Sequence, residues 1–186
     1  MAKVILVRHG HPLVEGEDPR QWHLSDQGRE IARALSREPI WEPVSTIYSS
    51  PEPKARETAL VVAEERGLPV KVLEDLGEVR RPYEAGDYED RIRAFLKGRA
   101  PPGWETREAA EGRIWRAMTE VSKGAAQVGV VSHGLLLTLF IAGVMGAKPT
   151  YWLHHAIGFA EYALYDTDTR TLMRGFGGGD EPKPAE

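Results

Sequence analysis

The stretch Lys3-Val4-Ile5-Leu6-Val7-Arg8-His9-Gly10 contains an unbroken run of branched apolar residues from Val4 to Val7. Such a run predicts a β-strand buried on both faces, because neither face keeps a polar position. The run stops at Arg8, so a cation and a histidine follow the strand directly. Far along the chain, an apolar run at 127–131 leads into Ser132-His133-Gly134 and delivers a second histidine in the same way.

Between these two runs, short apolar segments alternate with helical patterns. Further strands are predicted at 46–48 and 70–73, and a hairpin at 160–166 and 170–176. Helices are predicted at 26–37, from Pro51 to residue 66, and at 88–97, 106–123 and 135–145. Strands that alternate with helices indicate a mainly parallel sheet covered on both faces.

Ligands of such sheets bind beyond the carboxyl ends of the strands. Here one strand ends at Arg8-His9, the next at Ser49-Ser50 and a later one at Ser132-His133. Two histidines and an arginine are therefore expected at one edge of the sheet. This convergence predicts a functional site.

Composition excludes several classes of protein. The 186 residues suit one domain, and a net charge of −4 argues against a nucleic-acid or anionic-membrane binder. The absence of cysteine excludes disulfides, thiolate metal sites and a cysteine nucleophile. The apolar runs at 4–7 and 135–145 are too short for a signal peptide or a membrane span, so a cytoplasmic protein is expected.

The residues at the strand ends suit phosphoryl chemistry. A histidine such as His9 can attack phosphorus if its other ring nitrogen donates to a carbonyl, while Arg8 grips phosphate oxygens and Gly10 admits a close ligand. His133 precedes a helix whose N-terminus adds positive potential. The alternatives are a packed histidine at a strand end for His9 and a capping or core histidine for His133.

Four motifs occur in order and carry a family resemblance: Leu6-Val7-Arg8-His9-Gly10; Leu24-Ser25-Asp26-Gln27-Gly28-Arg29; Ser49-Ser50-Pro51 followed by Ala55 and Glu57-Thr58-Ala59; and Val131-Ser132-His133-Gly134. The chain resembles the histidine phosphatase superfamily, which includes cofactor-dependent phosphoglycerate mutases and many small phosphatases. The resemblance covers residues 3–166.

The resemblance implies a three-layer α/β/α sandwich around a mainly parallel sheet with one antiparallel edge strand. It also implies a phosphatase with His9 as nucleophile, phosphate contacts from Arg8 and His133, and no metal or organic cofactor. The family's second phosphate-binding arginine falls on Lys54 here, with Arg56 as the alternative. Lysine keeps the charge but loses the bidentate fork of arginine.

The resemblance further implies a carboxylate acid after the third strand. Glu78 best fits the family pattern, and Glu74 and Asp75 are the alternatives. A group that protonates the leaving oxygen and then activates water is expected to have a raised pKa, from burial or from the nearby phosphate.

Other assignments are less specific. Residues 1–176 are expected to form one catalytic domain with a short covering segment at about 79–105, and 177–186 a flexible tail. His11, Arg80 and Arg81 are candidate substrate contacts, with Tyr83, Arg91 and Trp104 as further candidates. His154 and His155 are assigned to packing or to the pocket rim.

Three other functions stay open beside a phosphatase for small-molecule phosphomonoesters. A phosphoglycerate mutase is disfavoured because His11-Pro12 and Glu15 replace the family's usual hydroxyl and amide residues. A non-catalytic phosphate-binding module is another. The last is a metal-dependent hydrolase built on His9 and His11 with His133, His154 or His155, although its usual barrel needs about 250 residues. The substrate is undetermined, and monomer and homodimer are both open.

Overall fold

The computed structural model describes residues 3–82, 86–124 and 127–176, which form six β-strands and six α-helices. The strands are β1 (Lys3–Arg8), β2 (Val44–Ser49), β3 (Val70–Val72), β4 (Gln127–Ser132), β5 (Tyr162–Asp166) and β6 (Thr171–Arg174). The helices are α1 (Asp26–Ser36), α2 (Pro53–Arg66), α3 (Tyr88–Leu96), α4 (Arg107–Val121), α5 (Gly134–Val144) and α6 (Tyr151–Ala156).

All six strands join one sheet in the order β3-β2-β4-β1-β5-β6. Strands β1, β2, β3 and β4 run parallel, whereas β5 pairs antiparallel with β1 and β6 antiparallel with β5. The predicted mainly parallel sheet is confirmed, and the antiparallel pairing at one edge involves two strands, β5 and β6, rather than a single edge strand. The carboxyl ends of β1, β2 and β4 therefore lie side by side.

Strand β1 shows how the sheet is covered on both faces. Its successive side chains point to opposite sides. Val4 and Leu6 pack into a core formed mainly with α4 and α5. Ile5 and Val7 pack into a second core, which includes residues of α1 and α2. Because β1 is buried on both faces, every residue from Val4 to Val7 is apolar.

The helices differ from the prediction in two main respects. The helix expected from Pro51 begins at Pro53, because Ser50 Oγ accepts the backbone N–H of Glu52 and holds a turn there. Helix α6 was not predicted, since six residues are too few to show a helical period; Thr150 caps it by accepting the N–H of Leu153. The predicted tail at 177–186 lies outside the described residues. Within the described ranges, no helix is long and apolar enough to cross a membrane.

Candidate active site

His9 follows β1 and is buried, with 5% of its surface exposed. Its Nδ1 lies 2.7 Å from the carbonyl oxygen of Gly10. A carbonyl oxygen only accepts, so Nδ1 carries the proton and Nε2 keeps a lone pair. Burial, with further contributions from nearby charges including Lys54, lowers the pKa of His9 well below its usual value. The ring is therefore neutral at neutral pH, as a nucleophile requires.

Gly10 has a packing role that the sequence analysis did not predict. A Cβ atom at this position would lie 2.7 Å from the carbonyl oxygen of Gly28 in α1, which is too close for any side chain. The N–H of Gly10 donates to Oγ1 of Thr58 in α2, at a distance of 2.9 Å. The turn that carries His9 is thus fixed between α1 and α2.

His133 follows β4 and lies beside His9, with 5.0 Å between the ring centroids. It is fully buried, and its Nε2 is hydrogen-bonded to Ser50 Oγ at 2.7 Å. Burial lowers the pKa of His133 to about 3, with Lys54 acting in the same direction and Glu78 opposing. The ends of β1, β2 and β4 therefore meet as the sequence predicted, and both histidines are neutral.

Arg8 lies at the same edge and is held from its outer side. Its Nη1 donates to the carbonyl oxygen of Ile157 at 2.5 Å, and its guanidinium lies 3.9 Å from the ring centroid of Phe159. Its buried Nε has no hydrogen-bond partner among residues 3–82, 86–124 and 127–176. The ring of Phe159 also contacts His9, with 5.6 Å between centroids. Arg8 is thus a fixed cation whose Nε–H can donate to a ligand.

Lys54 and Arg56 differ in burial. Lys54 is 5% exposed, whereas Arg56 is exposed on the outer face of α2. The Nζ of Lys54 donates to Glu52 Oε2 at 2.5 Å and to the carbonyl oxygen of Pro19 at 2.7 Å. An ammonium group has three donors, so one remains for a ligand. Of the two candidates, only Lys54 is buried beside the histidines.

We expect Lys54→Ala to lower kcat/KM by about 2–4 kcal/mol of transition-state stabilisation, as for other desolvated charge-assisted contacts. Lys54→Arg should retain measurable activity, and the exposed Arg56→Ala should stay near wild type. Steady-state kinetics with an aryl phosphate rank the three variants by their loss of kcat/KM. Thermal unfolding is followed alongside, since Lys54→Ala removes the cation that pairs with the buried Glu52. Greater damage from Arg56→Ala would transfer the role to Arg56.

Glu78 lies at the N-terminus of α5, next to His133. Its Oε1 accepts the N–H groups of Leu136 at 3.0 Å and Val79 at 2.8 Å, and its Oε2 accepts that of Leu135 at 3.2 Å. The amides of Leu135 and Leu136 belong to the free donors at the N-terminus of α5, which favour a negative charge. By contrast Glu74 is exposed and Asp75 pairs with Arg116 on the surface. Glu78 is the one of the three beside the histidines.

The pKa of Glu78 shifts opposite to the sequence-based expectation. Burial raises it, but His133, Arg81 and the amide of Val79 outweigh burial, and the pKa lies below its usual value. These neighbouring groups, whose positions relative to Glu78 were not evident from sequence, are the cause of the lowered pKa. A phosphate dianion placed beside the carboxylate would raise the pKa again, because the two negative charges repel.

A buried arginine on α4 fixes the loop that carries Glu78, and the sequence reasoning missed it. Arg113 is 3% exposed. It donates to the carbonyl oxygens of Asp75 at 2.8 Å, Gly77 at 2.7 Å and Glu78 at 3.2 Å. Its Nε and Nη2 hold the carboxylate of Glu105. The charge of Arg113 is paired with Glu105, and its other bonds hold the backbone of the loop, so Arg113 positions Glu78.

The remaining candidate contacts divide between pocket and surface. His11 lies beside the ring of Phe159, with 5.2 Å between centroids, and bonds Ser25 Oγ. Arg81 lies between the rings of Tyr88 and Trp104 and acts electrostatically on Glu78. The side chain of Arg80 is exposed. Tyr83 lies outside the described residues, and Arg91 lies half-buried on α3.

His154 and His155 both lie on α6 but in different surroundings. His154 packs against Gly134 and Thr138 at the start of α5, and burial lowers its pKa to about 4. His155 is exposed and stacks on Tyr151. Within the described part of the chain, no group of three or more histidines and carboxylates is arranged to hold a metal ion. The metal-dependent alternative therefore lacks a ligand set there.

Two residues at the site had no sequence signal. Glu52 is buried, and its Oε1 lies 3.5 Å from His133 Nε2. Phe159 contacts Arg8, His9 and His11 from an irregular segment after α6. An isolated glutamate before a helix ordinarily faces solvent, and an isolated phenylalanine ordinarily joins the core.

The sequence matches the family model of the histidine phosphatase superfamily (branch 1) over residues 4–172. The chain belongs to this superfamily. Membership makes it an enzyme of the histidine phosphatase type, as the motifs predicted. No curated protein matches the sequence significantly.

Solved structures of the superfamily share the fold. YhfR from Bacillus stearothermophilus has a TM-score of 0.80 at 19% identity, covering 97% of this chain and 98% of that one. A phosphoserine phosphatase mutant from Entamoeba histolytica, in complex with phosphoserine, gives 0.74 at 20% identity, with 95% and 97% covered. A putative alpha-ribazole-5'-P phosphatase from Escherichia coli gives 0.72 at 22% identity, with 95% and 96% covered. The TM-scores establish a shared fold, whereas identities this low leave the substrate open.

Proposed function

We propose that the chain hydrolyses small-molecule phosphomonoesters through a phosphohistidine on His9, with Glu78 as general acid and base. The observation that carries the proposal is the bond from His9 Nδ1 to the Gly10 carbonyl. It leaves the Nε2 lone pair of a neutral ring beside His133 and Lys54. A nucleophile, phosphate-binding donors and a carboxylate are then present together.

In the first step, His9 Nε2 attacks phosphorus and the bond from phosphorus to the ester oxygen breaks. The departing oxygen takes a proton from the Glu78 carboxyl group. Arg8, Lys54 and His133 would donate to the phosphoryl oxygens and stabilise their charge. The ionised state of Glu78 in the free enzyme is no obstacle, since an approaching phosphoryl dianion raises its pKa and favours proton uptake.

In the second step, water attacks the phosphohistidine and the bond from phosphorus to Nε2 breaks. The water proton passes to the Glu78 carboxylate, and inorganic phosphate leaves with His9 neutral again. One carboxyl group therefore serves as acid and then as base, and the protons balance over a cycle. Arg113 would keep Glu78 in place through both steps by holding the backbone of its loop.

We assign the reaction to a single domain of residues 1–176, with a short covering segment at about 79–105. The substrate is a small-molecule phosphomonoester. Nucleic acid is not expected as a partner, and a monomer or homodimer in the cytoplasm suits the proposal.

A mutase is disfavoured because His11-Pro12 and Glu15 replace the family's usual hydroxyl and amide residues. A non-catalytic phosphate binder would not need a carboxylate held at Glu78.

The proposal predicts hydrolysis of a generic aryl phosphate by the purified protein in the presence of excess chelator. His9 and Glu78 supply nucleophile and acid, so removing divalent ions should leave kcat/KM unchanged. Release of nitrophenolate measures the rate, and a screen of phosphomonoesters ranked by kcat/KM then identifies the substrate class. Complete loss on chelation, restored by zinc or manganese, would contradict the proposal. Phosphate binding without turnover would favour the non-catalytic module.

A further inference from the structure

Glu52 is a second buried carboxylate near His133, and the proposed mechanism does not use it. It occupies the N-cap position of α2, yet its side chain makes no capping bond and turns inward instead. Only 8% of its surface is exposed. Isolated buried carboxylates are costly, so the partners that hold this one indicate what it does.

The carboxylate of Glu52 joins three parts of the site. Its Oε2 accepts from Lys54 Nζ at 2.5 Å, and its Oε1 accepts the backbone N–H of Glu78 at 2.8 Å. The same Oε1 lies 3.5 Å from His133 Nε2. Glu52 therefore faces the two groups, Lys54 and His133, that would donate to a phosphoryl oxygen.

This arrangement places a negative charge beside the two groups that would donate to a phosphoryl oxygen. Glu52 neutralises Lys54 and occupies one of its three donors, and the carbonyl of Pro19 occupies a second. A bound dianion would share Lys54 with Glu52 and would be repelled by it at short range in a desolvated pocket. The geometry points to Glu52 as an affinity-setting residue, which weakens the pocket's hold on phosphate and so favours release of the product.

This role rests on the proposed function and extends it. A phosphatase must release inorganic phosphate in each cycle, whereas a mutase must retain a phosphorylated intermediate. A pocket in which Glu52 offsets Lys54 suits release. The carboxylate is thus a determinant of hydrolysis rather than transfer, acting through Lys54 without touching the reacting atoms.

The test compares wild type with Glu52→Gln, which removes the charge but keeps the acceptor for the Glu78 amide. Titration calorimetry gives the Kd for inorganic phosphate, and steady-state kinetics give product inhibition, KM and kcat with an aryl phosphate. We expect Glu52→Gln to bind phosphate about tenfold more tightly, with KM lowered in parallel and kcat not raised. Glu52→Asp keeps the charge and should stay closer to wild type.

The matched control is Glu64→Gln, which removes the same charge from an exposed position on the same helix and should leave the Kd unchanged. If Glu52→Gln fails to fold, Glu52→Met removes the charge by another route, with the same expected sign. Unchanged or weaker phosphate binding in the folded variant would overturn the inference. Absence of turnover in wild type would instead overturn the proposed function, and the phosphate affinities would still be compared.

Discussion

In Glu78→Gln, hydrolysis of alkyl phosphates is expected to fall by on the order of 10³-fold, because the first step loses its proton donor. An alkoxide leaves poorly without a proton. A nitrophenolate leaves without one, so the first step with an aryl phosphate should slow much less. The carboxamide can still accept from the amides of Leu136 and Val79, so the fold around α5 should persist.

The second step provides a distinct signature of the same variant. With no base to deprotonate water, the phosphohistidine should accumulate in Glu78→Gln. Rapid mixing with an aryl phosphate should therefore show a burst of about one nitrophenolate per active site, followed by slow turnover. A general-acid role alone would give no such burst.

Glu74→Gln and Asp75→Asn are the matched controls, since these carboxylates lie outside the cluster of histidines. Both should keep near-normal kcat/KM on alkyl and aryl phosphates. Near-normal kcat/KM for Glu78→Gln on an alkyl phosphate would refute the assignment, and a strong loss in either control would identify the carboxylate that acts in its place.

His9→Ala should abolish turnover, with kcat reduced by at least about 10⁴-fold and no burst with an aryl phosphate, because the nucleophile is absent. The cavity left behind lies between His133 and Phe159, so thermal unfolding confirms that the variant is folded. His155→Ala removes an exposed histidine from α6 and should behave as wild type. Substantial residual turnover in folded His9→Ala would exclude His9 as the nucleophile.

Much of the fold followed from local sequence patterns. The apolar run of β1, buried on both faces, marked a central strand, and the strands that end at Ser49 and Ser132 were evident from the same kind of run. Because parallel strands bring their carboxyl ends to one edge, the meeting of His9, Ser50 and His133 was predictable before any coordinates. Helix α6 was not predicted because it is defined by a local cap at Thr150 and is too short to show a helical repeat of apolar residues.

The electrostatics of the site were less predictable, because they depend on contacts between distant segments. Glu78 was selected because it fits the family pattern after β3, but its lowered pKa comes first from His133, which follows the distant strand β4. Arg113 supports the Glu78 loop from α4, and nothing in its local sequence indicates that contact. Glu52 is similar, since its partners become evident only when α2 packs beside β4.

The most direct test of the account is to find the phosphoryl group on the protein. Glu78→Gln and wild type are mixed with an aryl phosphate labelled at phosphorus and quenched in alkali, where phosphohistidine survives. The account predicts label on Nε2 of His9, at close to one per active site in Glu78→Gln and less in wild type, and none in His9→Ala. Label on any other side chain, or a full burst of nitrophenolate with no label on His9, would contradict it.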